Sequence, residues 1–139
     1  SAKSKVYEYR MITGPIISPF DRRYALHWPY RLDMKEMKRA AAMFVRRDDF
    51  SAFSSNRDRS PIRTVVRSEF RKRRDSLIYT VEAQGFLRYM VRTMIGTLLE
   101  VGRGKTAPED LDGIFAARDR SLAGPTAPPE GLFMIEVRY

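Results

Sequence analysis

The sequence predicts an α+β fold, in which an antiparallel sheet carries its helices on one face. Several short segments alternate apolar and polar residues with a period of two, which indicates strands of a half-buried sheet. Three other segments repeat apolar residues at helical spacing. Residues 63–74 and 77–83 are strand-like and are joined by a short turn, as in an antiparallel hairpin. With 139 residues the chain is long enough for one domain with a sizeable core.

The first part of the chain predicts two strands and a helix. Residues 5–13 alternate and predict the first strand, and residues 22–28 alternate again and predict the second. Residues 33–46 predict a helix, because Asp33 is followed three residues later by Glu36 in a capping box. Its apolar stripe marks it as part of the scaffold.

An arginine-rich stretch occupies residues 46–74. Its loop at residues 56–61 carries Arg57 and Arg59 and leads into the predicted strand at residues 63–74. Arginine pairs with phosphate and stacks on bases, so arginines near aromatic residues suit RNA contact. An ordinary solvated surface shows the same kind of charge run, so this stretch alone leaves both interpretations open.

Residues 83–105 predict the central helix, which opens after Gly85 and closes at two glycines. The apolar stripe of this helix consists of Leu87, Val91, Met94, Leu98 and Val101. Arg88 and Arg92 are four residues apart and are expected to share one flank of that stripe. Such a pair suits an anionic ligand. A core helix whose arginines extend to solvent is the alternative, and these residues taken alone favour it.

The last third predicts another helix and a closing strand. Residues 106–118 begin with a cap residue, a proline and an acidic residue, which indicates a helix start. Residues 124–131 form a proline-rich connector, and residues 132–139 alternate as a strand. The resulting order of strands and helices is ferredoxin-like, an arrangement common among RNA-binding proteins that proves no function by itself.

The charge balance is the most unusual feature of the composition. Twenty-six Lys and Arg against 17 Asp and Glu give a net charge of +9, which predicts attraction to a polyanion, most often nucleic acid. The absence of cysteine excludes disulfides and cysteine-ligated zinc, and the single histidine argues against a histidine metal site. No membrane span or secretory signal is visible, so the default expectation is a cytoplasmic protein.

No complete active site is recognisable from the residues alone. The sequence has no glycine-rich phosphate loop, no metal-ligand spacing and no Cys/His nucleophile pair. Tyr7, on the first predicted strand, is by composition more often a core residue than a catalytic one. The residues therefore support an RNA-binding α+β domain and leave its chemistry undefined.

Several stretches along the chain form recognisable motifs. They are Lys5-Val6-Tyr7-Glu8-Tyr9, Asp49-Phe50-Ser51-Ala52-Phe53, GFLRYMVR at residues 85–92, IGTLLEVG at residues 95–102, and a closing block at residues 117–120, 123–127 and 130–132. Together they resemble the tRNA pseudouridine synthase A family. The resemblance runs through nearly the whole chain, in order and with similar spacing.

The resemblance implies an enzyme that isomerises uridine to pseudouridine in the anticodon stem-loop of tRNA. It implies a homodimer that uses neither metal nor organic cofactor and flips the base into a cleft. The family's nucleophilic aspartate lies in an R-T-D-x-G motif, which this chain lacks. Residues 1–139 are therefore expected to be one domain, the carboxy-terminal half of the catalytic core, of the pseudouridine synthase type with a ferredoxin-like subdomain. Such a fragment is expected to be inactive alone.

The resemblance also assigns roles to individual residues. Arg92 would pair with the aspartate that this chain lacks and hold it ionised. Tyr7 would stack on or hydrogen-bond the uracil, and Leu132 would wall it. The residues expected to contact tRNA are Asn56, Arg57, Arg59, Ser60 and Arg63. A non-catalytic RNA-binding or dimerisation module, or a structural ribonucleoprotein component, is the alternative.

Overall fold

The computed structural model describes residues 3–55 and 60–139, and within them it forms one sheet with helices packed against it. The strands are β1 (Ser4–Ile12), β2 (Leu26–His27), β3 (Arg47–Asp49), β4 (Ile62–Arg73), β5 (Ser76–Ala83) and β6 (Leu132–Arg138). The helices are α1 (Met34–Met43), α2 (Met90–Gly102) and α3 (Leu111–Ala117). The predicted α+β class is confirmed.

The sheet is mixed rather than purely antiparallel. Its strand order is β2-β1-β5-β4-β3, and β6 pairs with the same edge of β1 that β2 uses. All described pairings are antiparallel except that of β1 with β2, where Met11 and Ile12 lie opposite Leu26 and His27. The chain leaves β1, turns through residues 13–25 and returns in the same direction, which the alternating pattern could not indicate.

The strand predicted at residues 22–28 is wrong in its extent. A 3₁₀ turn at Asp21–Arg23 replaces its first half, and only the two residues of β2 pair. β6 occupies the edge of β1 from Ser4 to Tyr9, so little free edge remains for another strand. The apolar residues of the segment do not all enter the core, since Tyr24 is 46% exposed.

The core lies between one face of the sheet and the helices. The alternate residues of β5 that point to the helices are completely buried; they are Leu77, Tyr79, Val81 and Ala83. Every residue of α2 is buried except Arg92 and Glu100, so α2 is the central helix of the fold. The side chain of Asp33 accepts a hydrogen bond from the backbone N–H of Glu36, as the capping box predicts, and α1 starts there.

Helix α2 begins at Met90, several residues later than the sequence predicts. Tyr89 precedes it with a φ of 62°, in the left-handed region, where a right-handed helix cannot pass. Arg88 therefore belongs to the loop between β5 and α2. The predicted shared flank of Arg88 and Arg92 on one helix is wrong.

The connector after α3 crosses α2 at very short range. A Cβ on Gly96 would lie 1.5 Å from the carbonyl oxygen of Pro125, so only glycine fits there. The Thr97 hydroxyl accepts a hydrogen bond from the backbone N–H of Gly124 (2.9 Å). The backbone N–H of Ala127 donates to the carbonyl of Arg92 (3.0 Å). These contacts fix the connector beside the first two turns of α2.

Among the described residues, no helix is long and apolar enough to cross a membrane.

Candidate active site

A hollow of about 280 Å³ opens where β1, β6 and the start of α2 meet. Its lining consists of Tyr7, Phe86, Leu87, Tyr89, Met90, Val91, Arg92 and Leu132. Tyr7, Arg92 and Leu132, which come from three distant parts of the sequence, thus line one hollow. Leu132 pairs with Tyr9 in the sheet, two residues along β1 from Tyr7, and so lies on the same face as Tyr7.

Tyr7 forms an aromatic wall of the hollow together with Phe86. The two rings meet edge to face, with centroids 5.0 Å apart and an interplanar angle of 83°. The hydroxyl of Tyr7 has no hydrogen-bond partner within the described part of the chain. It is therefore available to a group placed in the hollow.

The Arg92 side chain is anchored through a hydrogen bond from Nε, but its guanidinium has no carboxylate partner within the described residues. Its Nε donates to the carbonyl of Ala127 (2.7 Å), and its guanidinium carbon lies 5.1 Å from the centroid of the Tyr89 ring. None of the carboxylates in residues 3–55 and 60–139 lies within ion-pair distance of it. The first turn of α2 contains no acidic residue either, so the positive charge of Arg92 adds to that of the helix amino end.

Tyr9 anchors the connector beneath the hollow. Its hydroxyl donates to the carbonyl of Pro128 (2.6 Å), and its ring is fully buried. Burial, followed by the negative charge of Glu130, raises the pKa of Tyr9, and Arg92 acts in the opposite direction. Tyr9 therefore stays neutral and serves the structure.

A second hollow, of about 330 Å³, adjoins the first and is rich in cations. It is lined by Lys5, Arg47, Ile62, Arg63, Thr64, Gln84, Gly85 and Phe86, so the two hollows share Phe86. We call this second hollow the basic groove.

The residues predicted to contact tRNA are only partly described. Arg63 lines the basic groove and donates through Nη1 to the carbonyls of Ser60 and Ile62, at 2.7 Å each. Ser60 is exposed beside it. Asn56, Arg57 and Arg59 lie outside the described residues.

Sequence reasoning missed several lining residues. The sequence pattern predicts Phe86 and Tyr89 on the central helix, whereas their position in a loop depends on the left-handed backbone at Tyr89. The strand pattern does indicate Lys5, because residues two apart on a strand share a face and Lys5 is two residues from Tyr7. Arg47 had no local signal that linked it to the site.

The described residues contain no group of three or more His, Cys, Asp or Glu side chains arranged to hold a metal ion. Carboxylates are also missing from the residues that line the first hollow. Within its described residues, the chain thus offers the first hollow one arginine, aromatic rings and apolar walls.

Fold and site together define an α+β domain with an aromatic-walled hollow beside a cationic groove. The family model of tRNA pseudouridine synthase matches residues 40–139. This chain belongs to the tRNA pseudouridine synthase family.

The proteins similar to this chain are considerably longer than the chain itself. The tRNA pseudouridine synthase A of Bacillus pumilus is 40% identical over 141 residues, covering 100% of this chain and 57% of the relative. That of a Thermoanaerobacter species is 41% identical over 141 residues, with 100% and 58% covered. The tRNA pseudouridine synthase A 1 of Protochlamydia amoebophila is 38% identical over 144 residues, with 100% and 56% covered. The chain thus spans a little more than half the length of these relatives.

Proposed function

We propose that this chain is the carboxy-terminal part of an enzyme that isomerises uridine to pseudouridine in the anticodon stem-loop of tRNA. The observation that carries the proposal is the shared hollow of Tyr7, Arg92 and Leu132, in which Arg92 has no carboxylate partner among the described residues. In this proposal residues 1–139 are a single domain, and the reactive aspartate lies in a segment outside the chain.

Arg92 is the residue that connects this chain to the chemistry. The reaction breaks the bond between N1 of uracil and C1′ of the ribose and joins C5 to C1′, with loss of the proton from C5 and gain of a proton at N1. The nucleophilic aspartate must be ionised to begin this step. A guanidinium beside it, at the positive end of α2, lowers the pKa of that carboxyl and positions it. The hydrogen bond from Nε to Ala127 fixes the guanidinium for this task.

The other walls of the hollow hold the base. The ring of Tyr7, supported edge to face by Phe86, offers a flat surface for uracil, and its hydroxyl is available to a uracil carbonyl. Leu132 supplies an apolar wall on the same face of the sheet. A uracil that leaves the base stack of the RNA thus replaces its stacking contacts with contacts to Tyr7 and Leu132.

The excess of positive charge supports tRNA as the partner, with Ser60, Arg63 and the neighbouring Asn56, Arg57 and Arg59 as contacts. The proposal includes a homodimer that works in the cytoplasm without metal or organic cofactor. A non-catalytic RNA-binding or dimerisation module is the alternative, supported by the lack of a carboxylate in the lining of the first hollow.

A tritium-release assay separates these functions. The substrate is a tRNA transcript labelled with tritium at C5 of uridine, because pseudouridine formation releases that hydrogen. We expect release by the complete polypeptide, in which an R-T-D-x-G segment accompanies this chain, and none by residues 1–139 alone. A complete polypeptide that releases no tritium would refute the synthase proposal. Release by residues 1–139 alone would refute the proposal that the nucleophile lies elsewhere.

A further inference from the structure

The basic groove gathers cations from three strands that are far apart in sequence. Lys5 comes from β1, Arg47 from the edge strand β3 and Arg63 from β4. Because Lys5 and Tyr7 are two residues apart on β1, their side chains lie on the same face of the sheet. The groove therefore continues the face on which the first hollow opens.

These three cations have no carboxylate partner within the residues that the structure describes. The carboxylates of β3 are engaged elsewhere: Asp48 pairs with Arg46, and Asp49 pairs with Arg118. The positive charge of the groove is thus left open to a ligand.

Arg63 is oriented without being neutralised. Its Nη1 donates to two backbone carbonyls, those of Ser60 and Ile62, which fixes the guanidinium plane but adds no negative charge. A planar cation fixed in this way suits the bidentate binding of a phosphate. The cost of ordering the side chain is met before the ligand arrives.

Phe86 joins the groove to the first hollow. It lines both, and its ring packs against Tyr7 on the side of the first hollow. A nucleotide whose base enters the first hollow therefore has its sugar and phosphate at the rim, next to Lys5, Arg47 and Arg63.

We propose that the basic groove binds the phosphodiester backbone directly beside the uridine held in the first hollow, through Lys5, Arg47 and Arg63. This inference rests on the proposed function and adds the phosphate site that holds the strand while the base is out of its stack. Lys5 and Arg47 thereby gain a role that the sequence motifs did not assign to them.

The first experiment measures binding of an anticodon stem-loop hairpin to the chain at several salt concentrations. The test variant is Arg47→Gln with Arg63→Gln, and the control, with the same net charge, is Lys38→Gln with Lys105→Gln, two exposed lysines that line neither hollow. We expect the slope of log K against log salt to fall by about 0.9 for each phosphate that the test variant no longer neutralises. The control should keep the wild-type slope. Lys5→Gln, made alone, gives the same test if the double variant does not fold.

The second experiment locates the phosphate. A methylphosphonate linkage, which is uncharged, replaces the phosphodiester on one side of the target uridine and then on the other. We expect one of these replacements to weaken binding by wild-type protein several-fold and to leave binding by the Arg47→Gln, Arg63→Gln variant unchanged. Equal weakening in both proteins, or equal salt slopes for test and control variants, would overturn the inference alone. A wild-type chain that binds no hairpin would likewise overturn the inference, whereas the proposed function fails only if the complete polypeptide releases no tritium.

Discussion

At the scale of single residues, Arg92 and Arg88 show how a small backbone change separates two similar side chains. Arg92 lies in the first turn of α2, anchored to Ala127 and lining the first hollow. Arg88 lies in the preceding loop, exposed, with its guanidinium 4.9 Å from the Tyr89 ring centroid. The left-handed backbone of Tyr89 places Arg88 in the loop and leaves Arg92 in the helix.

We predict that Arg92→Ala in the complete polypeptide lowers turnover by about a hundredfold or more, because a displaced catalytic carboxylate costs at least that much. Binding of tRNA should change little, since Arg92 lies in the base hollow and outside the basic groove. Arg92→Lys should recover only part of the activity, because lysine keeps the charge but loses the planar fork.

The matched control for Arg92 is Arg103→Ala, at the opposite end of the same helix, where Arg103 is exposed and pairs with Glu100. Single-turnover tritium release and hairpin binding are measured for each variant. Near-normal turnover in Arg92→Ala, or an equal loss in Arg103→Ala, would remove Arg92 from the mechanism.

At the scale of elements, the position of the connector on α2 determines the site. Residues 124–127 cross α2 beside Gly96, and the same segment supplies the carbonyl of Ala127 that holds Arg92. The hydroxyl of Thr97 donates to the carbonyl of Thr93 and accepts from the N–H of Gly124, which ties helix and connector together. A substitution where the connector crosses α2 is therefore expected to shift the carbonyl of Ala127 and, with it, the Arg92 guanidinium.

We predict that Gly96→Ala destabilises the chain by about 3 kcal/mol, because the new Cβ would meet a backbone carbonyl that cannot move freely. The control is Gly113→Ala in α3, where a Cβ meets nothing within 4 Å. That variant should be stabilised by up to about 1 kcal/mol, since alanine favours a helix over glycine. Urea unfolding measures both. Equal stability of the two variants would contradict the close crossing.

Short sequence patterns predicted which segments form strands and helices, but they did not predict most of the contacts between these elements. The β4–β5 hairpin and the start of α1 follow from a turn and an aspartate cap, both encoded within a few residues. The helix predicted from residue 106 begins later, because Pro108–Asp110 form a 3₁₀ turn and α3 starts at Leu111. The parallel pairing of β2 depends on how β6 fills the edge of β1, which is a long-range fact. Of the site, the resemblance supplied Tyr7, Arg92 and Leu132, and the strand pattern places Lys5 on the face of Tyr7. Arg47 joins the groove only through the pairing of β3 with β4, which is a long-range contact.

At the scale of the whole molecule, the charges are arranged differently on the two faces of the sheet. On the face away from the helices, three arginines pair with carboxylates: Arg10 with Glu8, Arg67 with Glu69, and Arg138 with Glu82 and Glu136. Arg71 and Arg73 of β4 lie on that face without a carboxylate partner among the described residues. The face that holds the two hollows carries the unpaired cations of the basic groove and Arg92. Part of the net charge of +9 therefore lies at the site itself, unpaired among the described residues, where a polyanion is expected to bind.

The stability of the whole fold should fall at alkaline pH because of a buried phenol in the sheet. Tyr79 is completely buried at the centre of the sheet, and its hydroxyl lies 2.5 Å from that of Ser68. Burial raises the pKa of Tyr79 well above its ordinary value of 10.0. The unfolded chain then loses this proton near pH 10 while the native chain retains it, so the free energy of unfolding decreases as the pH rises above about 10.

We predict that this decrease amounts to about 1.4 kcal/mol per pH unit for one such proton. In Tyr79→Phe the slope above about pH 10 should be smaller by that amount, although the variant lacks the hydrogen bond with Ser68 and is less stable at neutral pH. The control is Tyr139→Phe, because Tyr139 is 80% exposed and should leave the slope unchanged. Urea unfolding at a series of pH values measures the slopes. If the wild type and both variants share one slope, the phenol of Tyr79 ionises in the native state as freely as in the unfolded chain. Such a result would contradict the burial of this phenol in the sheet.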